Sequence, residues 1–330
     1  MLRRALAVGE KLGDPEAVGY ALGELLWLLT ITSGAAPVSE VERQCIHLMQ
    51  IAREIDDNYL ATLAHYTRWA DLTHRGRIDE ARGWAEACIA FGHRTGYPPA
   101  LCWGLCMRAH VAFSDGHHVD AETLAREAQA GAQCAFDRQI AEMSLGFALV
   151  GQDRLDEGIP LLSRAQRLGD DVGAPYFAYA GESIHGRALA AAGDREGGLA
   201  WLRASRAFFL SIDHRRAAAL ASLAIGELEA VRAIQVPCAG SDKAGAAIQA
   251  SEAVPEAARH LQEAIALAKA TAMDGVQVQA HLTLATLTSA GAPREHARHH
   301  LDAAERLVRA LGWTALEQRV DQAIAEARAT

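Results

Sequence analysis

One short pattern recurs along the chain and limits its folds more than any single residue does. A helical stretch runs into a Gly or polar turn, and an acidic residue and a small one follow. The turns read Gly76-Arg-Ile-Asp-Glu-Ala81, Gly116-His-His-Val-Asp-Ala121, Asp153-Arg-Leu-Asp-Glu-Gly158 and Gly193-Asp-Arg-Glu-Gly-Gly198. Weaker copies begin at Pro37, Ala253 and Ala292. Successive turns are separated by 39, 40, 37, 40, 60 and 39 residues. A fixed period of this length marks a stacked array, because one short hairpin cannot bury its own apolar face.

Each unit reads as a helical hairpin. In the second complete unit the first helix is expected from about Tyr59 to His74 and the second from about Asp79 to Thr95. Gly76 supplies a left-handed stop, and Asp79-Glu80 favour the next helix start through its dipole. Small residues recur where helices must approach closely: Ala109, Gly146, Gly186 and Ala285 in first helices, and Ala128, Ala165, Ser205 and Ala304 in second ones. The 69 Ala and only 9 Pro agree with helices, since Ala has the best helix propensity and an interior Pro costs about 3 kcal/mol. The whole of 1–330 is therefore expected as a single all-α solenoid of about seven hairpins.

Three stretches break the period. Residues 1–13 read as a second helix whose own first helix is absent. Such an end exposes apolar surface, so the chain reads as the C-terminal part of a larger architecture. Residues 235–254, carrying Pro237, Gly240, Ser241 and Gly245, are expected as a loop insertion, with a short helical turn open to Ala246 to Ala253. Either a tolerated surface insertion or a binding loop would fit them. Residues 314–329 form an amphipathic stretch suited to capping the last hairpin.

Charge and motifs narrow the function classes. With 32 basic and 41 acidic residues the net charge is −9, and the Arg are scattered. A phosphate-reading surface needs a basic field, so no nucleic-acid partner is expected. No apolar run reaches the roughly 20 residues a bilayer requires, so no membrane partner is expected. The start, Met1-Leu2-Arg3-Arg4, leads into no apolar signal core, and a cytoplasmic location follows. Six Cys in such a chain read as reduced thiols. No phosphate loop, nucleophile elbow or dinucleotide loop is present, so no catalytic residue and no cofactor is expected.

The hairpin pattern resembles the tetratricopeptide repeat, though the period is near 39 and the aromatic and terminal Pro positions are largely unfilled. That resemblance implies a right-handed superhelical solenoid. A more particular likeness is carried by Arg216 to Val231, the long insertion, Ala258 to Lys269, Gln279 to Ala285, Ala297 to Glu305 and Leu311-Gly-Trp313. This order looks like the C-terminal repeat region of large bacterial signalling proteins. Those carry a class III adenylate or guanylate cyclase domain and an AAA-type ATPase domain, and related repeats follow the ATPase module of maltose-regulator-type activators. The resemblance implies a non-catalytic sensing or docking arm that binds a protein or peptide. The alternative is a small-ligand sensor controlling an attached ATPase, cyclase or transcription regulator. It sets no oligomeric state.

Candidate sites follow from helical spacing. First helices line the concave side of such a stack, and the groove-facing candidates are Tyr66, Trp103, Cys106, His110, Phe113, Ile140, Met143, Phe147 and Arg187. These aromatics and Met suit an apolar peptide as anchors, or they pack between hairpins instead. Cys102, Cys106 and His110 share one stripe, but i to i+8 spans about 12 Å, too far for one metal to take all three. His296 and His300 have the i, i+4 spacing of zinc ligands without the H-E-x-x-H context. No metal site is expected. Asp56-Asp57 and Asp170-Asp171 read as turn or capping groups.

Overall fold

The computed structural model describes residues 1–32, 36–171, 181–235, 243–289 and 294–329. Sixteen α-helices occupy the described residues, with no strand among them. The chain divides into two compact units, Met1–Gly181 and Glu182–Thr330.

In the first unit α1 (Leu2–Leu12) precedes four hairpins: α2 (Pro15–Thr32) with α3 (Val38–Glu54), α4 (Asn58–Arg75) with α5 (Ile78–Thr95), α6 (Pro98–Ser114) with α7 (His118–Gly131), and α8 (Ala135–Gly151) with α9 (Leu155–Asp171). Each helix packs on the next, and the first helices α2, α4, α6 and α8 also pack on one another in turn. In the second unit the pairs are α10 (Glu182–Ala191) with α11 (Arg195–Ser211), α12 (Arg215–Gln235) with α13 (Lys243–Ala270), and α14 (Asp274–Ser289) with α15 (Arg294–Val308). The last helix, α16 (Thr314–Ala329), joins Leu316 and Val320 to a core with Val278, Ala304 and Val308.

The turns explain the repeat. Gly76 ends α4 at φ 81°, and the Arg77 N–H reaches back to the Leu72 carbonyl at 2.9 Å, a left-handed stop that consumes an otherwise orphaned acceptor. Asp153 holds the matching place after α8 at φ 62°, with the Arg154 N–H on the Leu149 carbonyl at 2.9 Å. The register is kept although the residue is not Gly. Asp57 caps α4 by accepting from the Leu60 N–H at 3.0 Å, and it also accepts the Tyr20 hydroxyl at 2.7 Å. That bond raises the Tyr20 hydroxyl to about 12. Asp170 and Asp171 end α9, and whatever they would cap falls within 172–180, outside the described residues.

Close helix approach accounts for the small residues. A Cβ on Gly146 would sit 2.7 Å from Leu162 Cδ2 of the partner helix, too near for any real side chain. Ala128, Ala165 and Ala304 are buried at the matching contacts of second helices.

The insertion differs from its expectation. Only 236–242 of it lies outside the described residues, and from Lys243 onward the chain is helical. α13 thus reaches 28 residues, with Pro255 inside it. Residues 243–254 are rich in Ala, whose propensity extends the helix backward once the following turns are anchored by Ala257, Leu261 and Ala264 in the core.

Candidate functional site

The first helices of the first unit bring most of the expected groove residues together. Tyr66 and Trp69 on α4 stand one turn apart, at 5.3 Å between ring centroids. Trp103 on α6 meets Tyr66 edge-on at 5.3 Å, and His110 meets Trp69 at 5.3 Å. The row continues to α8, where Phe147 lies 6.1 Å from His110 and 5.7 Å from Phe113. Edge-to-face rings at these separations add favourable quadrupole contacts to their apolar burial.

The row is filled by its own members. Tyr66, Trp103, Cys106, Ile140, Met143 and Phe147 are buried, while His110 and Phe113 are half-buried. Of the two sequence alternatives, packing between hairpins describes these eight side chains. The ninth residue, Arg187, belongs to the second unit, where it pairs with Glu227 at 2.6 Å.

The Cys/His stripe carries neutral groups. Cys102 donates its thiol to the Ala128 carbonyl at 3.4 Å. A hydrogen bond with Cys106 and burial hold the Cys102 thiol well above the ordinary thiol range. A thiol that keeps its proton is a poor metal ligand and a poor nucleophile. Burial pushes His110 down to about 4, so its ring is neutral at pH 7. On α15 the His300 Nδ1 lies 3.0 Å from Nδ1 of His281, a shared hydrogen bond, and the side chain of His296 is outside the described residues. Among the described residues no three His, Cys, Asp or Glu stand close enough to hold a metal ion.

Sequence reasoning missed two buried polar clusters. Asp137, at the start of α8, accepts the Trp103 indole N–H at 2.9 Å and the Gln133 backbone N–H at 3.1 Å. It thereby ties the ring row to a helix start. On α4, Asp71 is fully buried between Arg68 at 3.3 Å and Arg75 at 2.8 Å. Arg68 also donates to Glu42 at 3.0 Å and the Val38 carbonyl at 3.1 Å, and Arg75 to the Ala36 carbonyl at 2.6 Å. The cluster clamps α4 to the approach and first turn of α3. The available signal was local: Arg68, Asp71 and Arg75 sit at i, i+3 and i+7, the spacing of one helix face.

Beside this clamp lies an open cavity of about 270 Å³ in the first unit. Leu22, Leu25, Leu26 and Leu29 of α2 form one wall, and Val41 and His47 of α3 another. Its carboxylates are Glu10 of α1, Glu40 of α3 and Asp71. Leu29 is 37% exposed and its neighbour Leu28 46%. No part of this cavity was foreseen from sequence, except that residues 1–13 left an end uncovered.

No protein-family model and no curated protein matches the sequence. Solved structures do match by backbone. A Rap protein complexed with competence and sporulation factor is 14% identical, with a TM-score of 0.52 over 98% of this chain and 95% of that one. BtubC from P. vanneervenii is 15% identical, with a TM-score of 0.48 over 71% and 91% of the two chains. A kinesin light chain from Podosopora anserina with nearly identical TPR-like repeats is 16% identical, with a TM-score of 0.42 over 64% and 96%. No helix among the described residues is long and apolar enough to cross a membrane. The chain is an all-α, tetratricopeptide-like helical-repeat protein.

Proposed function

We propose that this chain is a non-catalytic scaffold that binds a protein or peptide, acting as the sensing or docking arm of a bacterial signalling system. The observation that carries the reading is the backbone likeness, over nearly the whole length of both chains, to a Rap protein solved with a bound factor. Two features support it. The repeats are held by helix-to-helix burial and buried ion pairs that need no ligand. A cavity of about 270 Å³ lined largely by leucines nevertheless remains in the first unit, with Leu29 exposed beside it. A cytoplasmic location, a cyclase- or ATPase-bearing signalling context and the absence of nucleic-acid binding belong to the same proposal. The net charge of −9 agrees with the last of these.

The immobilised chain tests this. A protein captured from bacterial lysate, remade in recombinant form, should bind with a stoichiometry and a saturable isotherm. Nucleotide turnover by the purified chain would remove the non-catalytic reading. A metabolite that raises the melting temperature while no protein binds would replace docking with small-ligand sensing.

A further inference from the structure

We infer that His281 on α14 and His300 on α15 form a two-point binding site for a divalent transition-metal ion of the kind that prefers imidazole, Zn²⁺ or Cu²⁺. The site lies wholly within the second unit and is independent of the scaffold reading. An ion held there ties the two helices of one hairpin together.

Helix register brings the pair together. α14 and α15 pack as one hairpin, and Val278 of the first shares a core with Ala304 of the second. His281 comes three residues after Val278, and His300 four before Ala304. One helical turn from that contact, on both helices, the rings therefore face each other. Their Nδ1 atoms stand 3.0 Å apart, with ring centroids at 5.2 Å. Spacing along α15 alone pairs His300 with His296. The nitrogen that faces His300 Nδ1 comes instead from the neighbouring helix, which no single-helix motif reveals.

The distance suits a metal as well as a proton. Bonds of about 2.0–2.1 Å to one ion put two imidazole nitrogens about 2.9 Å apart at a right angle and about 3.3 Å apart at the tetrahedral angle. The 3.0 Å separation lies between the two. As it stands, the contact holds one proton between two ring nitrogens. Metal binding shifts that proton to Nε2 of the donating ring, so both rings stay neutral. Both are half-buried, which lets packing fix them while solvent still reaches them. Burial first, then the charges of His300, His299 and Arg306, keeps His281 neutral at pH 7, the form that coordinates. Imidazole selects Zn²⁺ and Cu²⁺ over Mg²⁺ and Ca²⁺. Arg306 opposes a divalent cation, and among the described residues no third His, Cys, Asp or Glu completes a group. Water therefore takes the remaining positions on the ion, and the site is weaker than a closed four-ligand one.

The probe is ZnCl₂ titrated by calorimetry into the metal-free full chain without a histidine tag. A first equivalent of Zn²⁺ should bind and raise the melting temperature by about 2 °C or more, and MgCl₂ should do neither. His281→Gln and His300→Gln should each weaken that equivalent at least tenfold. His299→Gln, at an exposed neighbour, should change it less than about threefold. Electron paramagnetic resonance of the unaltered chain with one equivalent of CuCl₂ gives a readout that needs no variant to fold. Its spectrum should show two nitrogen ligands. The inference is overturned if no Zn²⁺ binds more tightly than about 100 μM, or if the first equivalent survives both His281→Gln and His300→Gln. It is equally overturned if His299→Gln weakens binding as much as His300→Gln, or if the Cu²⁺ spectrum shows fewer than two nitrogens.

Discussion

Two first helices, α2 and α4, stand side by side in the first unit and have 18 residues each. The more apolar of them, α2, leaves Leu28 and Leu29 exposed. The more polar one, α4, buries Arg68, Asp71, His65 and Thr67 along with its apolar residues. Side-chain hydropathy alone would assign the reverse. What decides burial is the neighbour: α4 is covered by α3, α5 and flanking first helices, while α2 has only a short α1 on one side. In a one-dimensional array, stability is set by interfaces between successive units, so an end helix and an interior helix of like length differ in what each residue contributes.

The largest test of that contrast is the interior clamp. Asp71→Ala leaves the Arg68 and Arg75 guanidiniums without their shared carboxylate inside the stack, and a broken buried pair of this kind costs about 3–5 kcal/mol. Urea unfolding should show this as a large fall in midpoint with little change in slope. A loss under about 1 kcal/mol would mean that solvent reaches the pair and that α4 is not the covered helix described above.

Next in size is one substitution made at two places. Leu72→Ala on α4 removes a side chain with no exposure and should cost about 2–5 kcal/mol, whereas Leu28→Ala on α2 should stay within about 0.5 kcal/mol. Equal losses in urea unfolding would break the comparison.

What the sequence makes legible is divided along the same line. The turns, the hairpin period and the small residues at 146, 165 and 304 are local or recur at a fixed register, so periodic reasoning finds them. The helix bounds for α4 and α5 fall within about two residues of expectation, the usual uncertainty of a helix end. The candidate groove residues of α4, α6 and α8 do share one row, but spacing alone cannot tell an open face from a row of rings that fill one another's space. Trp103 shows why: its burial depends on Tyr66, Phe136 and the Asp137 carboxylate, which come from two other helices. The cavity at Leu25 and Leu29 follows from no motif, because its walls are assembled from α1, α2 and α3. In the insertion the sequence suggests at most a short helical turn at 246–253, whereas the helix begins at Lys243 and runs on unbroken to Ala270.

Acid should also separate the two helices. His65 on α4 packs between Trp84 and Phe91, and burial first, then the charge of Arg94, lowers it to about 4. The unfolded chain holds its ordinary value near 6.5, so between those values the unfolded state binds more protons. His65 therefore favours the fold fully above about pH 6.5, and this contribution is lost as the pH falls toward 4. His65→Phe, which fits the aromatic slot, should flatten the fall in urea midpoint over that window. An unchanged pH slope would assign the acid sensitivity to the other depressed histidines, such as His110 and His214.

The smallest effects belong to the turns, which serve as the control because their geometry depends on no neighbouring repeat. Gly76 after α4 and Asp153 after α8 both adopt positive φ with the same backward hydrogen bond. An L side chain in that region costs about 1 kcal/mol relative to Gly, and Asp tolerates it better than most. Gly76→Ala should thus destabilise by about 1 kcal/mol, and Asp153→Gly should stabilise by a few tenths of a kcal/mol, its relief being offset by the extra freedom Gly has when unfolded. If α4 and α8 differ only through what covers them, these two changes should keep their opposite signs and add when combined. Differential scanning calorimetry of the two single variants and the double would show it, because turns coupled to each other would depart from additivity.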